Sequence, residues 1–154
     1  MREPSLTSPR AIQLDPNYAV AYYNRGNAYR HLKQYDQAIA DYTKAIQLDP
    51  NYAYAYNNHG IAYDETGQYN EAIVDLNKAI QLDPNYAYAY NNRGYAYNNL
   101  KQYDKAIADY TKAIQLDPNY AVAYNNRAIT YDEIGKRALA EADRAKAWEL
   151  ESRK

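Results

Sequence analysis

An all-α array of stacked, antiparallel helix–turn–helix units is the fold class this sequence predicts, and three observations predict it. The nonapeptide AIQLDPNYA stands at 11–19, 45–53, 79–87 and 113–121, each copy 34 residues after the last. Within every period the large side chains recur at helical spacing. A proline then closes each period, at Pro16, Pro50, Pro84 and Pro118. A fixed period of this length marks supersecondary units that cannot bury an apolar face alone and stack to do so.

Residues 1–18 form an N-terminal segment in which 10–18 reads as the tail of a truncated repeat. Repeats follow at 19–52, 53–86 and 87–120, and the unit at 121–154 begins faithfully and then departs from the pattern. The run YAYAY (52–56, 86–90) alternates with period 2 and invites a strand. Tyr22, Tyr56, Tyr90 and Tyr124 are nevertheless followed seven residues on by Tyr29, Tyr63, Tyr97 and Tyr131, which is two helical turns. In the second half of a unit, Tyr103, Ala106, Ile107, Tyr110, Ala113 and Ile114 share one helical stripe. Asn17, Asn51, Asn85 and Asn119, just past the prolines, are expected to cap the next helix. Gly26, Gly60 and Gly94, with Ala128 in the fourth unit, are expected opposite Ala38, Ala72, Ala106 and Ala140, where small residues let two helices approach. The stripe turns polar in the last helix, where Arg137, Glu141 and Arg144 replace Tyr103, Ile107 and Tyr110, as a terminal cap requires. Eight helices are expected in all.

Composition narrows function. Eighteen Lys and Arg balance 19 Asp and Glu for a net charge of -1, which argues against a nucleic-acid binder. The absence of cysteine removes disulfides, thiolate metal sites and a cysteine nucleophile. The start, MREPSLTSPR, lacks the apolar run of a signal peptide, and no stretch approaches the roughly 20 apolar residues of a membrane span. A cytoplasmic protein with no membrane contact is the expectation. Tyrosine, at 21 residues against one Trp and no Phe, does nearly all the aromatic work.

The order Tyr90, Gly94, Tyr97, Ala106, Tyr110, Ala113, Pro118 resembles the signature of the tetratricopeptide repeat (TPR), with Tyr where that family often has Trp or Phe. The resemblance spans 19–120 fully, the first half of 121–154, and 10–18 as the tail of an earlier repeat. It implies a right-handed superhelical solenoid whose first helices line the inner surface. It also implies a non-enzymatic scaffold that binds proteins along that surface.

In the third unit Tyr88, Asn91, Asn92, Tyr95, Asn98 and Asn99 fall on one helical face, apart from the core stripe. The sharpest feature is a column of amides, Asn24, Asn58, Asn92 and Asn126. An amide offers a donor and an acceptor together, the pair that grips a peptide bond whatever its side chain. The column resembles the asparagine ladder of the TPR region in O-linked N-acetylglucosamine transferase; alternatively Asn merely tolerates this site or bonds a neighbouring helix. Tyr23, Tyr54, Tyr88 and Tyr95 are not explained by packing and stand as anchors for apolar or basic side chains, or as rings lying flat along their helices. Asp64 with Glu65, and Asp132 with Glu133, add acidic patches, and Arg30 with His31 a basic one. The expected partner is an extended peptide with basic or apolar side chains.

The carboxylate-clamp mode of chaperone-tail binding is disfavoured: Asn27 and Asn58 match its two amides, but Tyr23, Tyr88 and Asn92 occupy its cationic columns. A second column, Arg25, His59, Arg93 and Arg127, is followed sixteen residues on by Asp41, Asp75, Asp109 and Asp143 and reads as paired charge within hairpins. Nothing resembles a nucleophile–base pair, a zinc set or a phosphate loop, so neither enzyme nor cofactor is expected. The alternative is a structural module that assembles through repeat ends, as a homo-oligomer, since the first and third repeats differ at only six positions. In that case near-perfect repetition reflects design or recent duplication, with no dedicated ligand. The segment REPSLTSP (2–9) is a candidate to lie extended in a neighbour's groove.

Overall fold

A computed structural model describes residues 8–153, and the described residues form nine helices and no strand. The chain divides into two compact units, Met1–Leu82 and Asp83–Lys154. The first holds α1 (Ser8–Leu14), α2 (Ala19–His31), α3 (Tyr35–Leu48), α4 (Ala53–Glu65) and α5 (Tyr69–Leu82). There α1 packs on α2, α2 and α3 form a hairpin, α3 leads onto α4, and α4 pairs with α5. The second unit holds α6 (Ala87–Asn99), α7 (Tyr103–Leu116), α8 (Ala121–Glu133) and α9 (Arg137–Glu151), paired as α6–α7 and α8–α9. The ninth helix is α1, which gives the truncated tail at 10–18 its own short helix. Most of REPSLTSP lies outside the described residues.

The alternating Tyr–Ala runs are helical for a plain reason. Ala55 and Ala62 in α4, and Ala89 and Ala96 in α6, stand two turns apart and are fully buried. Their small size brings the helices close, while Tyr56, Tyr63, Tyr90 and Tyr97 lie half-buried along the flanks. The second helix of each hairpin supplies the core anchor: Tyr42 in α3, Leu76 in α5 and Tyr110 in α7 are buried to within 1%. In the first unit Ala38, Tyr42 and Ala62 form a cluster with Tyr23, Tyr29 and Ile39 against it; in the second, Ala121, Ala147 and Leu150 gather under Tyr124.

The small-residue column meets the neighbours expected and one more. A Cβ on Gly60 or Gly94 would sit 3.2 Å from the backbone oxygen of Ala72 or Ala106, and closer still, at 2.9 or 2.8 Å, to the anchor one turn beyond, Leu76 or Tyr110. On Gly26 it would sit 2.8 Å from the Tyr42 ring, so the anchor adds to the demand for glycine. The last hairpin shows the same rule in reverse. Arg144 stands where Tyr110 stood and turns outward to pair with Asp132, so Ala128 fits with its side chain fully buried. Arg137 and Glu141 are exposed beside it, as a polar final face requires.

The asparagines after the prolines are not the helix caps. The N-cap residues are Tyr18, Tyr52, Tyr86 and Tyr120, without side-chain capping bonds. The backbone N–H groups of Asn17, Asn51, Asn85 and Asn119 instead donate to Asp15, Asp49, Asp83 and Asp117 at 2.9–3.0 Å. A carboxylate two residues back makes an Asx turn, which holds the Asn one step too early to cap. The turns inside the hairpins carry a second device. Lys33, Gly67, Lys101 and Gly135 occupy one column and all adopt positive φ, from 57° to 77°. That region suits glycine and costs a lysine.

Charge between paired helices is matched. Arg25 donates to both oxygens of Asp41 (2.6 and 2.7 Å), Arg93 to both of Asp109 (2.7 Å each) and Arg127 to both of Asp143 (2.7 and 2.8 Å). The bidentate bonds raise each guanidinium above its ordinary pKa.

Candidate functional site

The residues singled out for binding sit on the first helix of each hairpin, and each unit assembles its own set. In the first unit, α2 and α4 adjoin and bring Tyr23, Asn24, Asn27, Tyr54 and Asn58 to neighbouring turns. Asn58 of α4 is largely engaged. Its Nδ2 donates to Asn27 Oδ1 at 2.8 Å and to Tyr23 Oη at 3.1 Å, and its Oδ1 accepts from Asn57 Nδ2 at 3.0 Å. Asn27 Oδ1 also accepts the Tyr42 hydroxyl at 2.7 Å. The chain of bonds therefore runs from the core anchor of one repeat, through two amides, into the next repeat. Burial is the main reason the Tyr42 hydroxyl is held up to about 12, so it stays a donor.

The second unit repeats the link with different partners. Asn126 Nδ2 of α8 donates to Asn91 Oδ1 of α6 at 3.0 Å, and Asn91 Nδ2 reaches Asn92 Oδ1 at 3.4 Å. Tyr23 and Asn91 hold corresponding positions in their repeats, and each accepts from the column asparagine 35 residues later. Thr130 adds a bond to Asn98 at 2.8 Å, and Asn99 turns back to the Tyr95 carbonyl at 3.0 Å. Asn91 is buried, at 4% exposure. The amide column thus joins first helices inside each unit, and Asn24 of α2 is its most exposed member. Sequence spacing placed the column on one face; which amides reach one another depends on the approach of successive helices, which no spacing reveals.

The tyrosines divide. Tyr23 is half-buried, with its ring 4.9 Å from Tyr52 and 6.1 Å from Tyr42. Tyr54, Tyr88 and Tyr95 are exposed at 55%, 54% and 47%. Tyr88 still leans on Tyr120, whose ring lies 4.8 Å away. Exposed rings braced at one edge present area at low entropic cost.

The electrostatics are milder than the charge pattern suggests. Glu65 takes a bond from Arg30 at 3.3 Å, and Asp132 is paired with Arg144. Asp64 is buried, its Oδ1 lacks a hydrogen-bond partner, and burial followed by Glu65 pushes its pKa up to about 7. Pairing and burial of these acidic groups leave aromatic area as the main exposed feature of these faces. Among the described residues no group of His, Asp or Glu could hold a metal ion, and no helix is long and apolar enough to cross a membrane.

Comparison with known proteins follows the same lines. Family models described as "Tetratricopeptide repeat" match residues 19–52 and 87–120, and 41–74 and 109–143; one described as "TPR repeat" matches 60–101. A crystal structure of MamA is 31% identical with a TM-score of 0.84, over 95% of this chain and 85% of that one. The first TPR of Spaghetti (RPAP3), bound to the HSP90 peptide SRMEEVD, is 31% identical with a TM-score of 0.74, over 78% and 95%. The Arabidopsis OM64 TPR domain is 30% identical with a TM-score of 0.73, over 75% and 95%. No curated protein matches. Period, hairpin packing, sequence models and solved structures agree, and the chain belongs to the tetratricopeptide repeat family.

Proposed function

We propose that this chain is a non-enzymatic protein-interaction scaffold that holds an extended peptide on the faces of its first helices. The observation that carries the reading is exposed rings on the first-helix faces of each unit, Tyr54 in the first and Tyr88 with Tyr95 in the second. The RPAP3 TPR, a structural neighbour, holds a peptide, which supports a peptide partner here. The amides have two parts in this reading. Asn27, Asn58, Asn91, Asn92 and Asn126, bonded to one another, set the spacing of neighbouring first helices, while Asn24, the exposed member of the column, offers its amide to a peptide backbone. Each such bond adds about 0.5–1.5 kcal/mol net, so the amides give sequence-tolerant grip and the tyrosines give most of the affinity. Apolar side chains on the peptide match the rings better than acidic ones do.

The test is fluorescence anisotropy with peptides selected from a random library, with SRMEEVD as the acidic comparison. Tyr54→Ala with Tyr88→Ala and Tyr95→Ala is expected to weaken the selected peptide tenfold or more at unchanged melting temperature. Asn58→Ala, by contrast, is expected to lower stability by about 1 kcal/mol because it breaks the link to Asn27 and Tyr23. Undiminished binding by the triple tyrosine variant sinks the proposal. Light scattering across protein concentration separates it from assembly through repeat ends.

A further inference from the structure

The α4–α5 hairpin differs from its siblings at one functional position. In three hairpins the cation column is an arginine held the same way. Arg25, Arg93 and Arg127 each form two bonds to one aspartate, and each guanidinium carbon lies 5.6–5.9 Å from two tyrosine ring centres. The α4–α5 hairpin keeps the rings, Tyr56 and Tyr63, and the carboxylate, Asp75, but its column residue is His59.

An imidazole is shorter than a guanidinium and fills the place incompletely. His59 Nδ1 lies 2.8 Å from Asp75 Oδ2, yet its N–H is not aligned for a hydrogen bond, and His59 is only 7% exposed. Its Nε2 is 3.3 Å from Thr43 Oγ1, and its ring centre is 4.6 Å from that of Tyr63. Where each arginine engages both carboxylate oxygens, His59 contacts one. Beside it lies an open surface pocket of about 210 Å³, lined by His59, Tyr63, Glu71, Val74 and Asp75.

We propose that this open pocket is a binding site for an external guanidinium group, seated against Tyr63 with one N–H group on the Asp75 oxygen that His59 leaves unused and another toward Glu71. Each part of the site fits that chemistry. A guanidinium is flat, stacks on an aromatic face and presents two parallel donors, which an ammonium does not. Asp75 offers the oxygen that His59 leaves unused, and Glu71 adds a second carboxylate at the mouth. Burial, Asp75 and Glu71 together push the Tyr63 hydroxyl pKa upward, consistent with a negative site that disfavours anions. The siblings supply the precedent, since their own arginines occupy the same frame. The site lies between α4 and α5 and stands whether or not the first-helix faces bind a peptide.

The test is an NMR titration that follows the Tyr63 and His59 ring signals with N-acetyl-arginine methylamide. Saturable shifts with about millimolar affinity are expected, with the lysine analogue at least about fivefold weaker. His59→Arg places the sibling side chain in the frame; it is expected to fold, by circular dichroism, and to lose the saturable Tyr63 shift. Asp75→Asn is expected to lose it as well. Absence of saturable shifts in the native chain, or equal shifts in His59→Arg, overturns the proposal. An extended arginine peptide that binds tenfold more tightly than methylguanidinium assigns the site to a partner's side chain. Equal binding of the two assigns it to a small guanidino compound.

Discussion

The α4–α5 and α6–α7 hairpins have the same helix lengths and the same period, yet differ at most positions that carry chemistry. The core anchor is Leu76 in one and Tyr110 in the other, and the paired cation is His59 or Arg93. The turn residue is Gly67 or Lys101, and the residue near the end of the first helix is Asp64 or Asn98. Both hairpins form. The lesson is that volume and period specify the hairpin, while ion pairs, turn strain and buried polar groups adjust its stability position by position. A repeat can therefore give up an ideal ion pair without losing its fold.

The largest test of this contrast removes the carboxylate from each hairpin. Asp109→Ala takes the carboxylate from a guanidinium that cannot shed its proton, and is expected to cost about 3 kcal/mol, the lower end for a buried pair since Arg93 keeps some solvent contact. Asp75→Ala is expected to cost about 1 kcal/mol, because His59 makes one contact to that carboxylate where Arg93 makes two to Asp109. Urea denaturation of the two variants reads the difference; equal losses would refute the distinction.

Next in size is Asp64. Its folded pKa, about 7, lies above the ordinary 3.8, so the folded chain binds that proton more tightly than the unfolded chain. Stability from this group therefore falls as pH rises from about 4 to about 7 and stays low above that. Asp64→Asn is expected to stabilise by roughly 2 kcal/mol at pH 8 and little at pH 4. The gain is held to that size because the buried amide also lacks a partner. Asn98→Asp in the other hairpin, where Thr130 donates to that amide, is expected to move stability the opposite way at pH 8. Melting curves at both pH values decide.

The smallest effect lies in the turns. Lys101→Gly relieves a positive φ of 57° and is expected to gain about 0.5–1 kcal/mol, since glycine's own entropy offsets part of the relief. Gly67→Lys should lose a similar amount. A melting temperature unchanged in both would mean that the turn strain is relaxed elsewhere.

Much of the fold was legible because it is periodic. The seven-residue spacing of Tyr22 with Tyr29, and of its counterparts, overrode the strand-like alternation, since a helix is recognised over turns and not over pairs. The Arg–Asp columns were legible for a related reason, because a charge near a core needs an opposite charge at a repeating distance. One reading failed, one was incomplete and one feature went unread. Asn17 and its counterparts do not cap, because a carboxylate two residues earlier takes their N–H first. The glycines do face the alanines proposed, at Ala72 and Ala106, but the tighter contact is with the anchor a turn beyond, which spacing did not single out. The turn column with positive φ was missed because lysine, at two of its four places, conceals the conformation that glycine would have advertised.

Amino-acid order alone determines that this chain makes helical hairpins of one family, and which residues share a face, because those properties follow from local periodicity and side-chain volume. Only the packed structure decides which amides on that face spend their hydrogen bonds on one another, which tyrosines stay exposed, and that His59 contacts one carboxylate oxygen where its arginine siblings engage two. Those outcomes depend on gaps of an ångström or less between helices, and such gaps are set by every side chain in the interface at once.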